Sequence, residues 1–175
     1  MENAGKFDEL AEVYDIRVRN QLPQYDELRK VLFDFVPFSK EAKINALDLG
    51  IGTGTIAAEF LERYPNARLI GVDVSSKMIE QSRRKLDQYK SRIELVQADF
   101  RTLPPMGQID LVYSILTVHH VPCEDKEALF RKICTILRPD GVFILIDPVN
   151  GASDQLIKHY RITRFLSKKK AAPYL

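Results

Sequence analysis

Ala46-Leu47-Asp48-Leu49-Gly50-Ile51-Gly52-Thr53-Gly54 decides the fold of this chain. A short apolar run, Ile44 to Leu49, leads into the stretch, and Ile56, Ala57, Phe60 and Leu61 leave it at helical spacing. The order is strand, glycine-rich turn, helix N-terminus. Gly50 and Gly52 carry no Cβ and can take positive φ, so bare backbone can approach a ligand closely. The helix start adds N–H groups that have no partner within the helix. Together these features predict a nucleotide-type cofactor site at the opening of an α/β core.

Spacing narrows the cofactor. A dinucleotide fingerprint reads Gly-x-Gly-x-x-Gly. Here the third glycine arrives one position early, at Gly54, and Thr55 stands where the fingerprint has glycine or alanine. A tight strand-to-helix turn with no ligand would also use these glycines, so the rest of the chain has to decide.

Beyond the turn, strands and helices alternate. Strands are expected at Ile44–Leu49, Arg68–Val72, Ile93–Gln97, Leu111–Ser114 and Val142–Ile146. Helices are expected at Thr55–Tyr64, Ser76–Tyr89, Glu124–Leu137 and Ala152–Leu166, with Lys6–Val13 and Leu22–Phe35 before the core. Arg138-Pro139-Asp140-Gly141 stops one helix and turns the chain into the last strand. Such alternation implies right-handed crossovers and a mostly parallel sheet with helices on both faces, a Rossmann-like α/β fold. The strands are apolar without alternation, which fits a sheet covered on both sides. The expected organisation is an N-terminal helical lid (1–40), a cofactor-binding core (41–150) and a basic C-terminal helix and tail (151–175).

In such a sheet, ligands bind at the carboxyl ends of the strands. The second strand ends at Gly71-Val72-Asp73, about twenty residues past the glycine turn, where an acid can accept both hydroxyls of a ribose. Asp73 could equally cap the next helix, although Ser75 and Ser76 are better placed for that. The third strand ends at Gln97-Ala98-Asp99-Phe100. Asp99 can accept an adenine amino group while Phe100 offers its backbone N–H, or Asp99 is an ordinary loop carboxylate. Met78 either flanks adenine or fills the core. His119 and His120 follow the fourth strand. Either can act as a base near neutral pH, or pack against the turn at Pro122. Phe7, Tyr14 and Tyr25 are read as a lid over the cofactor or as plain amphipathic packing.

These motifs, in this order, resemble the class I S-adenosylmethionine (SAM)-dependent methyltransferases from about Phe7 to Asp147. The shared elements are Asp48–Gly54, Gly71-Val72-Asp73-Val74-Ser75, Gln97-Ala98-Asp99-Phe100, Ile109-Asp110-Leu111-Val112 and Leu137-Arg138-Pro139-Asp140-Gly141. More narrowly, the chain is similar to the branch containing carboxy-SAM synthase of the tRNA wobble-uridine pathway. That similarity rests on Phe7-Asp8, Leu22-Pro23-Gln24-Tyr25 and the run Ile79-Glu80-x-x-Arg83-x-x-x-Asp87-x-Tyr89. The resemblance implies SAM as cofactor and S-adenosylhomocysteine as product, with contacts at Tyr25, Gly50, Asp73, Val74, Asp99, Phe100 and Ser114. Asp48, Gly52 and Gly54 complete the glycine motif, and Met78 remains the further candidate contact. Ser114 stands where the branch has asparagine, and Ile51 where relatives often have cysteine. The superfamily sheet normally has seven strands, the last two an antiparallel pair beside strand five. Here the expected sheet lacks those two, and the arginine that the carboxy-SAM branch supplies further downstream has no counterpart. Carboxy-SAM synthesis is therefore not carried over.

Composition sets the outer limits. The chain has 175 residues, 45% hydrophobic and 29% charged, which fits one globular domain. No apolar run approaches the roughly 18 residues of a membrane span, and the N-terminus has no apolar signal region, so the expected location is cytoplasmic. Cys123 and Cys134 fall in one expected helix about 16 Å apart, too far to bridge, and neither has metal-ligand spacing. From Gly151 onward six cations face only Asp154. That tail carries +5 and the rest of the chain sums to −3, giving the overall +2. Such a tail is either a solvated helix face or a contact for RNA or an acidic partner.

The expected function is methyl transfer from SAM to an acceptor, a small molecule or a tRNA base, by a protein able to form a homodimer over an uncovered fifth strand. Two other readings stand beside it. One is a SAM-binding partner module without catalysis, or a piece of a longer protein. The other is an NAD-dependent oxidoreductase, which the glycine spacing and the lack of a Tyr-x-x-x-Lys pair oppose.

Overall fold

The computed structural model describes residues 2–103 and 107–148. Five strands form one all-parallel sheet: β1 (Asn45–Leu49), β2 (Arg68–Asp73), β3 (Ile93–Gln97), β4 (Ile109–Ile115) and β5 (Leu137–Ile146), in the order β3-β2-β1-β4-β5. The helices are α1 (Glu2–Leu10), α2 (Tyr14–Gln21), α3 (Tyr25–Asp34), α4 (Thr55–Arg63), α5 (Ser76–Lys85) and α6 (Cys123–Ile136). The chain winds outward from β1 in one direction through β2 and β3, then returns to the other side of β1 for β4 and β5. A right-handed crossover must change faces when its direction changes, so α4 and α5 lie on one face and α6 on the other.

Side-chain parity along the strands confirms the two faces. Ala46, Leu111, Tyr113 and Ile115 join one apolar cluster with Leu32, Phe33, Phe60 and Leu61. Leu47, Leu49 and Val112 join the other, with Leu129, Ile133 and Ile136 of α6. Phe60 sits at the centre of the first cluster, fully buried, with its ring 5.0 Å from that of Tyr64 and 5.5 Å from that of Tyr113. Phe60→Ala is expected to cost about 3–5 kcal/mol of stability, read as a lowered urea midpoint; a loss under 1 kcal/mol would contradict this packing.

The core strands and helices follow the expected order, and the differences have local causes. The helix expected over Leu22–Phe35 starts only at Tyr25, and a helix not expected, α2, precedes it. Pro23 has no N–H to donate and disfavours helical backbone in the residue before it, and Leu22 accordingly takes φ −133° and ψ 85°. The helix expected to reach Tyr89 ends at Lys85, and the chain tightens into a 3₁₀ turn over Asp87–Tyr89.

At the last strand, Leu137 pairs with Ile109 and Val142 with Leu111, so the expected turn Arg138–Gly141 is an arch opposite Asp110 within the ladder. The extra turn flips parity: Ile109 and Leu111 point to opposite faces. Asp110 pins the arch, accepting from Arg138 Nη1 at 2.7 Å and from the Asn45 N–H at 2.8 Å. The helix expected at Ala152–Leu166 and the basic tail lie outside the described residues.

Candidate functional site

The site is built at the carboxyl ends of β1, β2, β3 and β4, where β1 and β4 send their connections to opposite faces and leave a crevice. The glycine turn after β1 is held by β2: the N–H groups of Gly50 and Ile51 donate to the Val72 carbonyl at 2.8 and 3.0 Å. Gly50 takes φ +82°, Gly52 +56° and Gly54 +79°. A Cβ on Gly50 would lie 2.2 Å from Thr117 Cγ2, whereas one on Gly52 would meet nothing within 4 Å. The turn thus presses against β4's exit at Gly50 and presents open backbone at Gly52. Ile51 turns inward into the space left by Gly71, where a Cβ would come within 2.3 Å of its side chain.

Asp73 closes the turn from the β2 side. Its Oδ2 accepts from the Gly52 N–H at 2.9 Å and its Oδ1 from the Ser75 N–H at 2.9 Å. Burial pushes the Asp73 carboxyl up, while the N–H groups of Ser75, Gly52 and Val74 pull it back. Helix α5 is capped by Ser75, whose Oγ accepts from the Met78 N–H at 3.1 Å, so the capping role falls to the serine and not to Asp73. Asp99 ends β3 and starts a 3₁₀ turn over Phe100–Thr102. Its carboxyl is held below its usual range by the side chain of Arg101, against a burial effect of opposite sign.

Gly50, Gly52, Asp73, Val74, Met78, Asp99, Phe100 and His120 all line one cavity of about 260 Å³. Phe7 and Tyr14 close it from the N-terminal helices, and Arg101, Leu116, Thr117, Val121 and Pro122 complete its wall. Leu116 holds left-handed backbone at φ +55°, a conformation that costs a branched residue about 1–2 kcal/mol and marks a constrained position on the cavity wall.

The other candidates lie off this wall. Ser114 is fully buried, and its hydroxyl donates to the Leu49 carbonyl at 2.9 Å, joining β4 to β1. Gly54 is the left-handed N-cap of α4 and packs against Ser82 and Leu86. Tyr25 opens α3 and is buried, with its hydroxyl pushed up by burial and by neighbouring Tyr14. His119 faces Asp147, which accepts from the His119 N–H at 2.8 Å and lies 2.9 Å from its Nδ1. The His119 ring stacks 3.9 Å from that of His120, and His120 in turn meets the edge of Phe7 at 5.2 Å.

Asp48 is buried beneath the glycine turn, beside its register partner Tyr113. Burial pushes its carboxyl up to about 8, with Asp73 adding to the rise and Tyr113 opposing it. The folded chain therefore keeps a proton here that the unfolded chain gives up near pH 4. This contribution to stability is present at low pH and is lost as pH rises from about 4 to about 8. Asp48→Asn is expected to flatten the fall in urea midpoint between pH 5 and pH 8. An unchanged slope would show that Asp48 does not titrate in this window.

Two carboxylates to which sequence reading gave no role, Asp8 (quoted only for the branch similarity) and Asp15, fasten the N-terminal helices over the site. Asp8 of α1 accepts from Ser75 Oγ at 2.5 Å and from the Lys77 N–H at 3.1 Å, at the start of α5. Asp15 of α2 accepts from Thr53 Oγ1 at 2.6 Å, Thr55 Oγ1 at 3.2 Å and Lys85 Nζ at 2.6 Å. Burial pushes Asp15 up, but these donors outweigh it and leave the carboxyl below its usual range. No local pattern marks such partners, because they lie 38 to 70 residues away.

Comparison with known proteins agrees with this geometry. The methyltransferase domain family matches residues 46–141, from the start of the glycine motif to the arch before Val142. The chain belongs to the methyltransferase domain family. It is 35% identical over 115 residues to trans-aconitate 2-methyltransferase of Azoarcus sp. (strain BH72), covering 66% of this chain and 42% of that protein. It is 31% identical over 152 residues to carboxy-S-adenosyl-L-methionine synthase of Sulfurimonas denitrificans, covering 86% and 64%. Among solved structures, the DhpI–SAM–HEP complex matches with a TM-score of 0.69 at 23% identity, covering 89% of this chain and 68% of that one. The fold is therefore that of the class I methyltransferases, and SAM is the cofactor of that family. The chain spans about two fifths to two thirds the length of these two curated relatives.

Among the described residues of this methyltransferase domain, no helix is long and apolar enough to cross a membrane.

Proposed function

We propose that this domain binds SAM in the cavity at the strand tips and directs its methyl group to an acceptor. The observation that carries the reading is the convergence of Gly50, Gly52, Asp73, Asp99 and Phe100 on one cavity at the crevice between β1 and β4. The residues fit the group: the backbone at Gly52 is open, a carboxylate stands at the tip of β2 and another at the tip of β3. When bound, SAM supplies a methyl group activated by its sulfonium.

In this reading Asp73 accepts the ribose hydroxyls, and Asp99 with the Phe100 N–H reads the adenine edge. Val74 and Met78 flank the base. Asp48, Gly54, Ser114 and Tyr25 shape the turn and strands beneath it. Residues 1–40 form the lid, fastened through Asp8 and Asp15, residues 41–150 the cofactor core and 151–175 a basic tail. The lid excludes water and orients donor and acceptor in line, which is the main demand of this chemistry. His120 faces the cavity and takes a proton from an acidic acceptor; His119 is oriented by Asp147 and stacks on it.

A small molecule is the acceptor class we favour, since a relative shares 35% identity and is named for a small carboxylic acid. A tRNA base is the other. A cytoplasmic setting suits the two exposed free thiols, Cys123 and Cys134. A homodimer over the outer edge of β5, where Leu145 is exposed, belongs to the same proposal.

Incubation with methyl-labelled SAM tests the reading, using a pool of small carboxylic acids in one arm and bulk tRNA in the other. Label is expected in the small-molecule arm, with S-adenosylhomocysteine rising above the acceptor-free control. Label in tRNA alone would reverse the acceptor choice, and transfer in neither arm would favour a binding module without catalysis.

A further inference from the structure

Arg101 lines the cavity, yet its guanidinium is turned onto two acids. Asp99 Oδ1 accepts from the Arg101 N–H at 2.9 Å and from Nε at 3.0 Å; Oδ2 accepts from Nε at 2.9 Å and from Nη2 at 2.6 Å. A carboxylate has about four acceptor directions, and three hydrogens of one arginine, with the single Nε–H shared between both oxygens, cover most of them. The remaining nitrogen, Nη1, donates to Asp125 Oδ2 at 2.7 Å, on the first turn of α6. Arg101 therefore stands between two anionic partners, one inside the cofactor cavity and one on the neighbouring helix.

We infer that Arg101 is an internal competitor for the adenine subsite: it occupies Asp99 when the cavity is empty, and it swings to Asp125 alone when an adenine amino group takes its place. This rests on the SAM reading given above. Asp99 keeps little acceptor capacity with its present partners in place, and a donor that enters on the edge covered by the guanidinium displaces at least one Arg101 contact. Displacement leaves the guanidinium paired, because Asp125 already holds its other side, while Asp99 exchanges a charged partner for a neutral amino donor. The pair with Asp99 is about one third exposed at each side chain, so it is weak enough to exchange and is screened by salt. Asp125 thus acts as the parking place, and the affinity for the cofactor is set partly by the balance between the two acids.

The arrangement makes two substitutions act in opposite directions. Arg101→Met removes the competitor and is expected to tighten S-adenosylhomocysteine by roughly 3- to 5-fold. Asp125→Asn weakens the parking place and is expected to loosen binding by a similar factor, while the double variant R101M/D125N returns to the affinity of Arg101→Met. Raising NaCl from 50 to 500 mM is expected to tighten binding to the wild type but not to Arg101→Met. The ligand carries no net charge, so direct screening contributes little. Calorimetric titration of the whole chain reads all four arms, with a thermal melt confirming that each variant is folded.

If Arg101→Met binds more weakly than wild type, Arg101 holds Asp99 in place and the competitor role is overturned. An Asp125→Asn variant indistinguishable from wild type would likewise remove the parking role. If the wild type itself gives no heat, the SAM reading fails and this inference falls with it. Heat in the wild type combined with a looser Arg101→Met rejects the inference alone.

Discussion

Asp73→Ala is expected to weaken S-adenosylhomocysteine binding by about 100-fold, with the fold retained. Two terms add. The first is the loss of the paired acceptors for the ribose hydroxyls, charge-assisted bonds worth about 1.5–3 kcal/mol each when water is excluded. The second is local. The Asp73 carboxylate joins the Gly52 N–H to the Ser75 N–H, both at 2.9 Å, so it ties the glycine turn to the start of α5. Without it, a buried donor at Ser75 and a part-buried one at Gly52 lose their partner, and the turn loosens where the cofactor must sit. The lower end of the first term alone, about 3 kcal/mol for the two bonds, corresponds to the stated factor, so about 100-fold is the smallest loss expected. Asp73→Asn is a useful companion. Its single carbonyl oxygen can serve one N–H but not both, so it should fall between wild type and alanine. Calorimetric titration of the three proteins checks the order. Equal affinity in wild type and Asp73→Ala would remove Asp73 from the site.

Gly50→Ala is expected to destabilise the domain by about 2–4 kcal/mol and to abolish cofactor binding in what remains folded. The backbone at Gly50 has φ +82°, which costs a residue with a Cβ about 1–2 kcal/mol. The new methyl would also lie 2.2, 2.4 and 2.8 Å from Cγ2, Oγ1 and Cβ of Thr117. Thr117 cannot retreat freely, since its Oγ1 donates to the Ile115 carbonyl at 3.0 Å and its backbone follows the constrained Leu116. The turn or the β4 exit has to shift, which is the overpacking penalty of a dense interior. Thr117→Ala removes two of the three clashing atoms, so G50A/T117A is expected to recover part of the stability. Urea midpoints of the four proteins in this cycle measure the coupling. Additive losses would show that strain at Gly50 alone, and not contact with Thr117, sets the cost.

How much of this was legible in the sequence follows from how far each partner lies along the chain. Gly50, Gly52, Asp73, Asp99 and Phe100 were legible because they sit at the ends of strands, and strand ends follow from local pattern. Once the strands are parallel and ordered, their tips must meet. Helix α2 was not legible, because Tyr14–Gln21 buries no residue and so shows no apolar stripe, and the helix after it was placed three residues early, across Pro23. Parity at β4 was not legible: the bulge opposite Asp110 depends on an arch in another strand, and it moves Ile109 to the opposite face from Leu111. Ser114 was read as a contact by position alone, whereas its hydroxyl is turned sideways to Leu49 by the packing of β4 against β1. Arg101 was two residues from a singled-out aspartate and was passed over, because charge in a short turn usually means solvent. Only its distances to Asp99 and Asp125 show otherwise.

The alternatives reduce to which small molecule the strand tips accept. The wild-type protein, titrated calorimetrically with S-adenosylhomocysteine and, in a separate cell, with NAD, answers that directly. Saturable one-to-one heat with the former and none with the latter is the result predicted here. Heat with NAD, or silence with both, would contradict the adenosyl-sulfur site on which every role assigned above depends.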